Sequence, residues 1–219
     1  AIINRQTALP VGAIMSFCLA KNEDPAQKTL VGPDWSWQQI PIEKAREALA
    51  AQNGLNSGLI IPTAGGKTTI AIEALIPLII NGTCKHIAWV AHRDFLLNQA
   101  RGALKNSIDR LGLSLKERRK IQSSIEFLMV READENIHSL EEKFDTLIID
   151  EAHHAAAKSY RKIVGADNLT GLFLTATPNR LDKQPIGIDK ICFQAQPRLL
   201  FESGCIIRPE LKKFESDQF

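Results

Sequence analysis

Short apolar runs and longer mixed stretches take turns along most of this chain. Residues 59–61, 86–91, 125–130, 146–149 and 172–175 are, His86 and Glu126 aside, apolar or β-branched rather than alternating. That is the pattern of strands buried on both faces of a parallel sheet. Between them, residues 42–52, 67–80, 94–110, 114–123 and 155–164 carry helical patterns. Strand and helix in alternation predict βαβ crossovers, and therefore an α/β fold with a doubly wound, mostly parallel sheet flanked by helices. No internal repeat or low-complexity tract interrupts the scheme. Residues 1–33 fit no part of it and are expected to form an N-terminal segment of unknown role.

A chain of 219 residues has room for one substantial α/β domain. Hydrophobic content of 44% and charged content of 24% are ordinary for a soluble globular protein. A formal net charge of +2 is nearly neutral, so any contact with nucleic acid must be local. Cys18, Cys84, Cys192 and Cys205 lie far apart with no C-x-x-C pair, which argues for reduced thiols rather than a zinc site. No apolar run approaches the roughly 20 residues that span a bilayer. The apolar stretch 9–20 has the look of a signal core, but Pro10 and Gly12 interrupt it and only Arg5 precedes it. A cytoplasmic location without membrane contact is expected. The chain begins at Ala1 rather than Met, as expected of a piece excised from something longer.

Two segments carry candidate chemistry. Pro62-Thr63-Ala64-Gly65-Gly66-Lys67-Thr68-Thr69 follows a predicted strand and opens a predicted helix, the setting a phosphate-binding loop requires. Gly65 and Gly66 lack a Cβ, so backbone N–H groups can wrap phosphate oxygens at the positive end of the new helix. Lys67 would reach the β- and γ-phosphates and the Thr68 hydroxyl would ligate Mg²⁺. Ile61 stands where the generic pattern has its first glycine. A plain Gly-rich turn before a Lys-Thr helix start is the bland alternative.

Further on, Thr146-Leu147-Ile148-Ile149 delivers Asp150 and Glu151 to the carboxyl end of a strand, where ligands bind in open α/β sheets. Asp150 is assigned to the metal and Glu151 to the attacking water, with His153 linking the hydrolytic centre to its neighbours. Taken alone, Asp-Glu-Ala-His could be an exposed helix start.

With these residues in order, the chain resembles the first motor domain, a RecA-like P-loop NTPase domain, of a superfamily-two DEAH-type helicase or translocase. Thr63 to Thr68 resembles its motif I. Val90-Ala91-His92-Arg93-Asp94-Phe95-Leu96-Leu97-Asn98-Gln99-Ala100 resembles motif Ia, Asp150 to His153 motif II, and Leu174-Thr175-Ala176-Thr177-Pro178 motif III. Trp37-Gln38-Gln39 is similar to the aromatic-plus-glutamine signal that reads adenine, with Gln38 and Gln39 both open as the reader. Ser159-Tyr160-Arg161, Thr177-Pro178-Asn179-Arg180-Leu181-Asp182 and the segment from Phe201 to Pro209 resemble the restriction-subunit and DNA-repair branch.

The resemblance implies a helicase ATP-binding domain over residues 34–210, with 211–219 starting a linker to a second RecA-like domain. It implies ATP and Mg²⁺ as ligands, the loop residues Thr63 to Thr69 around the nucleotide, and a nucleic-acid partner, DNA rather than RNA. Contacts to that partner, or coupling to it, would come from His92, Arg93, Thr175 and Thr177. The alternative is a nucleotide-gated binding module without turnover of its own.

The bland readings are a packed helix for Phe95, Leu96, Leu97, Ala100 and Leu104, and strand capping for Thr175 and Thr177. The basic cluster 116–120 reads as a solvated face, and Trp89 as core. Two departures from the family pattern stand out: Ala64 where many relatives have glycine, and the acidic Val130-Arg131-Glu132-Ala133-Asp134 where relatives have a Thr-x-Gln turn.

Overall fold

The computed structural model of the chain describes residues 33–135, 140, 142–152, 163, 169–177 and 187–206. Its elements run α1 (Gln39–Ala50), β1 (Asn56–Ile60), α2 (Lys67–Asn81), β2 (Ile87–Ala91), α3 (Asp94–Arg110), α4 (Leu115–Ser124) and β3 (Ile125–Met129). There follow α5 (Val130–Glu135), β4 (Thr146–Ile149), β5 (Thr170–Thr175), β6 (Lys190–Gln194) and α6 (Pro197–Glu202). The strands form one six-stranded sheet in the order β3-β2-β4-β5-β1-β6, and every pair in it is parallel. All the strands therefore end on the same edge, and the loops that follow them share it.

Side chains from alternate strand positions feed two separate cores, as the pleat requires. Trp89, Ile148, Leu172 and Leu174 point into the core that holds α1, α2, α3 and α4. Ala88, Val90, Leu147, Ile149 and Phe173 point into the other, with Leu140, Phe144 and Ile163. The four inner strands are buried along their whole length, whereas β3 and β6 at the edges are half exposed. Trp89 is fully buried as core.

Five of the six strands lie where the apolar runs place them, and the differences are physical. β1 starts at Asn56 and takes in the polar Ser57 and Gly58. Asn56 fits in the interior because its partner across the sheet is Gly171, where a Cβ would stand 2.1 Å from the Asn56 side-chain oxygen. β6 carries a half-exposed edge pattern that breaks the run of buried strands, and α6 is short. The acidic segment after β3 is a helix rather than a turn, with Glu132 accepting from the Met129 N–H at 2.7 Å.

One expectation of packing is overturned. Leu97, Ala100 and Leu104 are buried and Leu96 partly so, but Phe95 is 72% exposed. It sits in the first turn of α3, on the outward side of the helix. The predicted helix 155–164 lies outside the described residues, apart from the buried Ile163. No described helix is long and apolar enough to cross a membrane, and among the described residues no group of three or more His, Cys, Asp or Glu could hold a metal ion.

Candidate functional site

The loop 62–66 leaves the end of β1 held at both sides. The Ile61 N–H donates to the Thr175 carbonyl at 3.0 Å, carrying the β1–β5 pairing one step past the strand, and the Gly65 N–H donates to the Pro62 carbonyl at 3.1 Å. Ala64 and Gly66 both take left-handed backbone, with φ of 67° and 81°. For Ala64 that conformation is a standing strain which glycine would not carry.

Gly65 is fixed by packing instead, because a Cβ there would meet Ile61 Cγ2 at 2.3 Å. At Gly66 a Cβ would meet Gln38 Nε2 at 2.4 Å, in addition to the backbone requirement. The Gly66 carbonyl then accepts from the Ile70 N–H at 3.0 Å and starts α2. The first N–H groups of that helix have no partner within it, so they supply a cradle of donors with the dipole's positive end behind them.

Gln38 supports the loop from beneath. Its side chain is buried and donates to the Gly65 carbonyl at 3.0 Å. Gln39 is exposed at the start of α1, so of the two glutamines it is Gln38 that touches the loop. Next to it the Trp37 indole N–H donates to Cys205 Sγ at 3.4 Å, and Asp34 N–H donates to the Ser203 carbonyl at 2.8 Å. The turn around α6 therefore braces the segment that braces the loop.

The acidic pair arrives from β4. The Asp150 N–H donates to the Val90 carbonyl at 2.9 Å, locking the strand end to β2. Thr68 Oγ1 donates to Asp150 Oδ2 at 3.4 Å, and Lys67 Nζ lies 3.6 Å from Glu151 Oε1. The glycine loop and the two acids therefore face one another across a single site.

Asp150 is 3% exposed. Burial pushes its carboxyl up to about 6, the Glu151 charge adds to the rise, and Lys67 and the Thr68 hydroxyl oppose it. Glu151 holds left-handed backbone with φ of 53°, a conformation that persists in a non-glycine residue only where its surroundings enforce it. A hydroxyl and a buried carboxylate that lacks enough positive charge make an oxygen-only donor pair. That pair fits a hard divalent cation such as Mg²⁺, which takes one or two protein oxygens and completes its shell with phosphate and water.

The other expected residues are less concentrated. Thr63 is exposed, and Thr69 is half-buried and faces a groove against α3. His92 is half-buried and Arg93 exposed at the end of β2, beside the strand that bears Asp150. The Thr175 hydroxyl donates to the Thr177 carbonyl at 2.9 Å and accepts from the Thr177 N–H at 3.2 Å, closing a local turn. These bonds cap the strand end, and the Thr175 backbone carbonyl also links it to the phosphate loop by accepting from the Ile61 N–H. His153 lies outside the described residues. The sequence reading missed the Lys67–Glu151 pair and the brace through Cys205, because both join positions far apart in the chain with no shared motif.

Residues 35–180 match the family described as type III restriction enzyme, res subunit. No curated protein sequence shows significant similarity to the chain. Among solved structures, the chain is similar to a nuclease-deletion mutant of the Type ISP restriction-modification enzyme LlaGI in complex with a DNA substrate mimic. That match has 16% identity and a TM-score of 0.56, over 78% of this chain and 20% of that one. It is similar too to the SWI2/SNF2 ATPase core of Sulfolobus solfataricus in complex with dsDNA (16% identity, TM-score 0.52, covering 70% of this chain and 34% of that one). A third similar structure is the UvsW helicase from bacteriophage T4, with 18% identity and a TM-score of 0.52 over 69% of this chain and 59% of that one. The chain thus spans less than two thirds of each of these structures. The family match covers more than half of the sequence, and the all-parallel sheet agrees with RecA-like domains: the chain belongs to the type III restriction enzyme res-subunit family and carries a RecA-like fold.

Proposed function

We propose that this domain is the ATP-binding and ATP-hydrolysing core of a DEAH-type helicase or translocase that acts on DNA in restriction or repair. The observation that carries the reading is the meeting of Lys67 and Thr68 with Asp150 and Glu151 at the mouth of a glycine loop. The loop N–H groups and the start of α2 would cradle the phosphates, with Thr63 to Thr69 around them, and Gln38, which bonds to the loop, would be the adenine reader. Mg²⁺, held by Thr68 and Asp150, would supply charge neutralisation across the phosphate oxygens.

Lys67 now lies beside Glu151, and a γ-phosphate would draw its ammonium away. Glu151 is then free to take a proton from water, whose oxygen bonds to the γ-phosphorus as the bond to the bridging oxygen breaks, leaving ADP and phosphate. His153 would relay between this centre and its neighbours. His92, Arg93, Thr175 and Thr177 would contact the nucleic-acid strand or couple it to the site, and a second RecA-like domain would supply the cation that completes the transition state. The DNA complexes among the similar structures support DNA over RNA as the partner. Dependence on ATP supports a cytoplasmic setting.

Lys67→Ala is expected to abolish tight ATP binding in a nucleotide titration, and unchanged affinity would count against the assignment. ATPase assays with and without single-stranded DNA separate a hydrolysing motor from a nucleotide-gated module that binds without turnover.

A further inference from the structure

Phe95 stands 72% exposed in the first turn of α3, immediately beyond the end of β2. Phe95, Gln99, Gly102 and Asn106 follow one another at helical spacing and so share one stripe of that helix. About one turn below Phe95 a groove of about 490 Å³ opens between α3 and the start of α2, lined in part by Thr69, Gln99, Gly102, Asn106 and Ser107. A Cβ added to Gly102 would meet nothing within 4 Å, so there is open room over the middle of the stripe. Ser107 lines the groove at 3% exposure. The one charged group at the groove, Arg110, is engaged by Glu73.

The groove is thus neutral and edged by primary amides and hydroxyls, with the bare Phe95 ring one helical turn further along the same stripe. A phosphate finds no free cation there. A nucleobase fits better: it is flat and uncharged, it stacks on aromatic rings, and its edge pairs with the donor and acceptor of a Gln or Asn amide. Two residues before Phe95, the exposed Arg93 offers a cation for the neighbouring phosphate.

We propose that Phe95, Gln99 and the groove behind them form a seat for an unpaired base of a strand whose backbone is held at Arg93. The proposal rests on the nucleic-acid half of the function above and adds to it that this edge engages single-stranded rather than fully paired nucleic acid. A base within a duplex is already stacked and cannot reach the ring unless it is extruded.

The test uses the full chain, a fluorescein-labelled thymidine oligonucleotide and its duplex counterpart, read by anisotropy. Phe95→Ala should weaken single-strand binding about ten-fold, within the range of one lost base stack, while leaving duplex affinity and the thermal midpoint unchanged. Phe95→Trp should restore it, and an oligonucleotide with abasic sites should bind wild type and Phe95→Ala alike. Arg93→Gln should instead flatten the salt dependence by about one phosphate contact, which Phe95→Ala leaves alone. Unchanged single-strand affinity in Phe95→Ala, or an equal loss on duplex, overturns the inference alone. If wild type binds ATP but no oligonucleotide, the nucleic-acid half of the proposed function falls and this inference with it.

Discussion

Asp150 shows how burial and function oppose each other at a single side chain. Its folded carboxyl keeps a proton to about pH 6, whereas an unfolded aspartate releases one near 3.8. The associated stability is present in full below the lower value and is lost as pH rises through the upper one, so the ionised site strains the empty protein at neutral pH. Asp150→Asn should therefore raise the stability of the nucleotide- and metal-free protein by about 1–3 kcal/mol above pH 6. The gain should fade to nothing below about pH 4, as followed by urea melts across that range. A gain that is constant with pH contradicts this account. At this scale the sequence was most legible in local placement: Gly65 and Gly66 lie in the loop after β1, and Lys67 and Thr68 open α2, as the strand-loop-helix pattern predicts. It was silent on the Lys67–Glu151 pair, because spacing along a chain does not encode which charges meet across 84 positions' worth of folding.

Elements were readable when their own residues set their limits. Helix α4 begins at a capping box: the Ser114 side chain accepts from the Glu117 N–H, and the Glu117 carboxylate accepts from the Ser114 N–H at 2.8 Å. This reciprocal pair fixes the helix start without help from the rest of the fold. Ser114→Ala should cost about 1 kcal/mol in chemical denaturation, and a cost near zero would show that packing of Ile121 alone determines α4. The first half of β1 and all of β6 could not be read in this way. Asn56 belongs in a strand only because Gly171 leaves room for it, and Lys190–Gln194 pairs along the sheet rim, where solvent removes the need for an apolar run. Phe95 misled for a related reason, since an aromatic residue beside Leu96 and Leu97 carries the composition of a core helix while facing outward.

For the molecule as a whole, the site exists only when the sheet is complete, since its groups come from the ends of β1, β4 and β5. Folding and ligand binding are therefore linked. Mg²⁺-ATP at 100 times its dissociation constant should add about 2.7 kcal/mol to stability, a rise in thermal midpoint of about 5–10 °C for a chain of this size. Differential scanning fluorimetry should record that rise for the wild type and none for Lys67→Ala. The alternation of strands and helices made the doubly wound sheet legible in advance. The strand order was not, because crossovers leave no mark on the residues they connect.

The register between strands carries one last consequence. Ile60 lies level with Thr175, while Ile149 lies level with Phe173, two rungs lower on the same strand. That offset sets the heights at which the glycine turn and the acids emerge. Losing or gaining one residue within β5 would shift those heights and send each following side chain to the opposite face. Insertions in turns at the far rim, such as 82–86 and 111–114, leave those heights alone, whereas a change of strand length shifts them like a tooth lost from a gear.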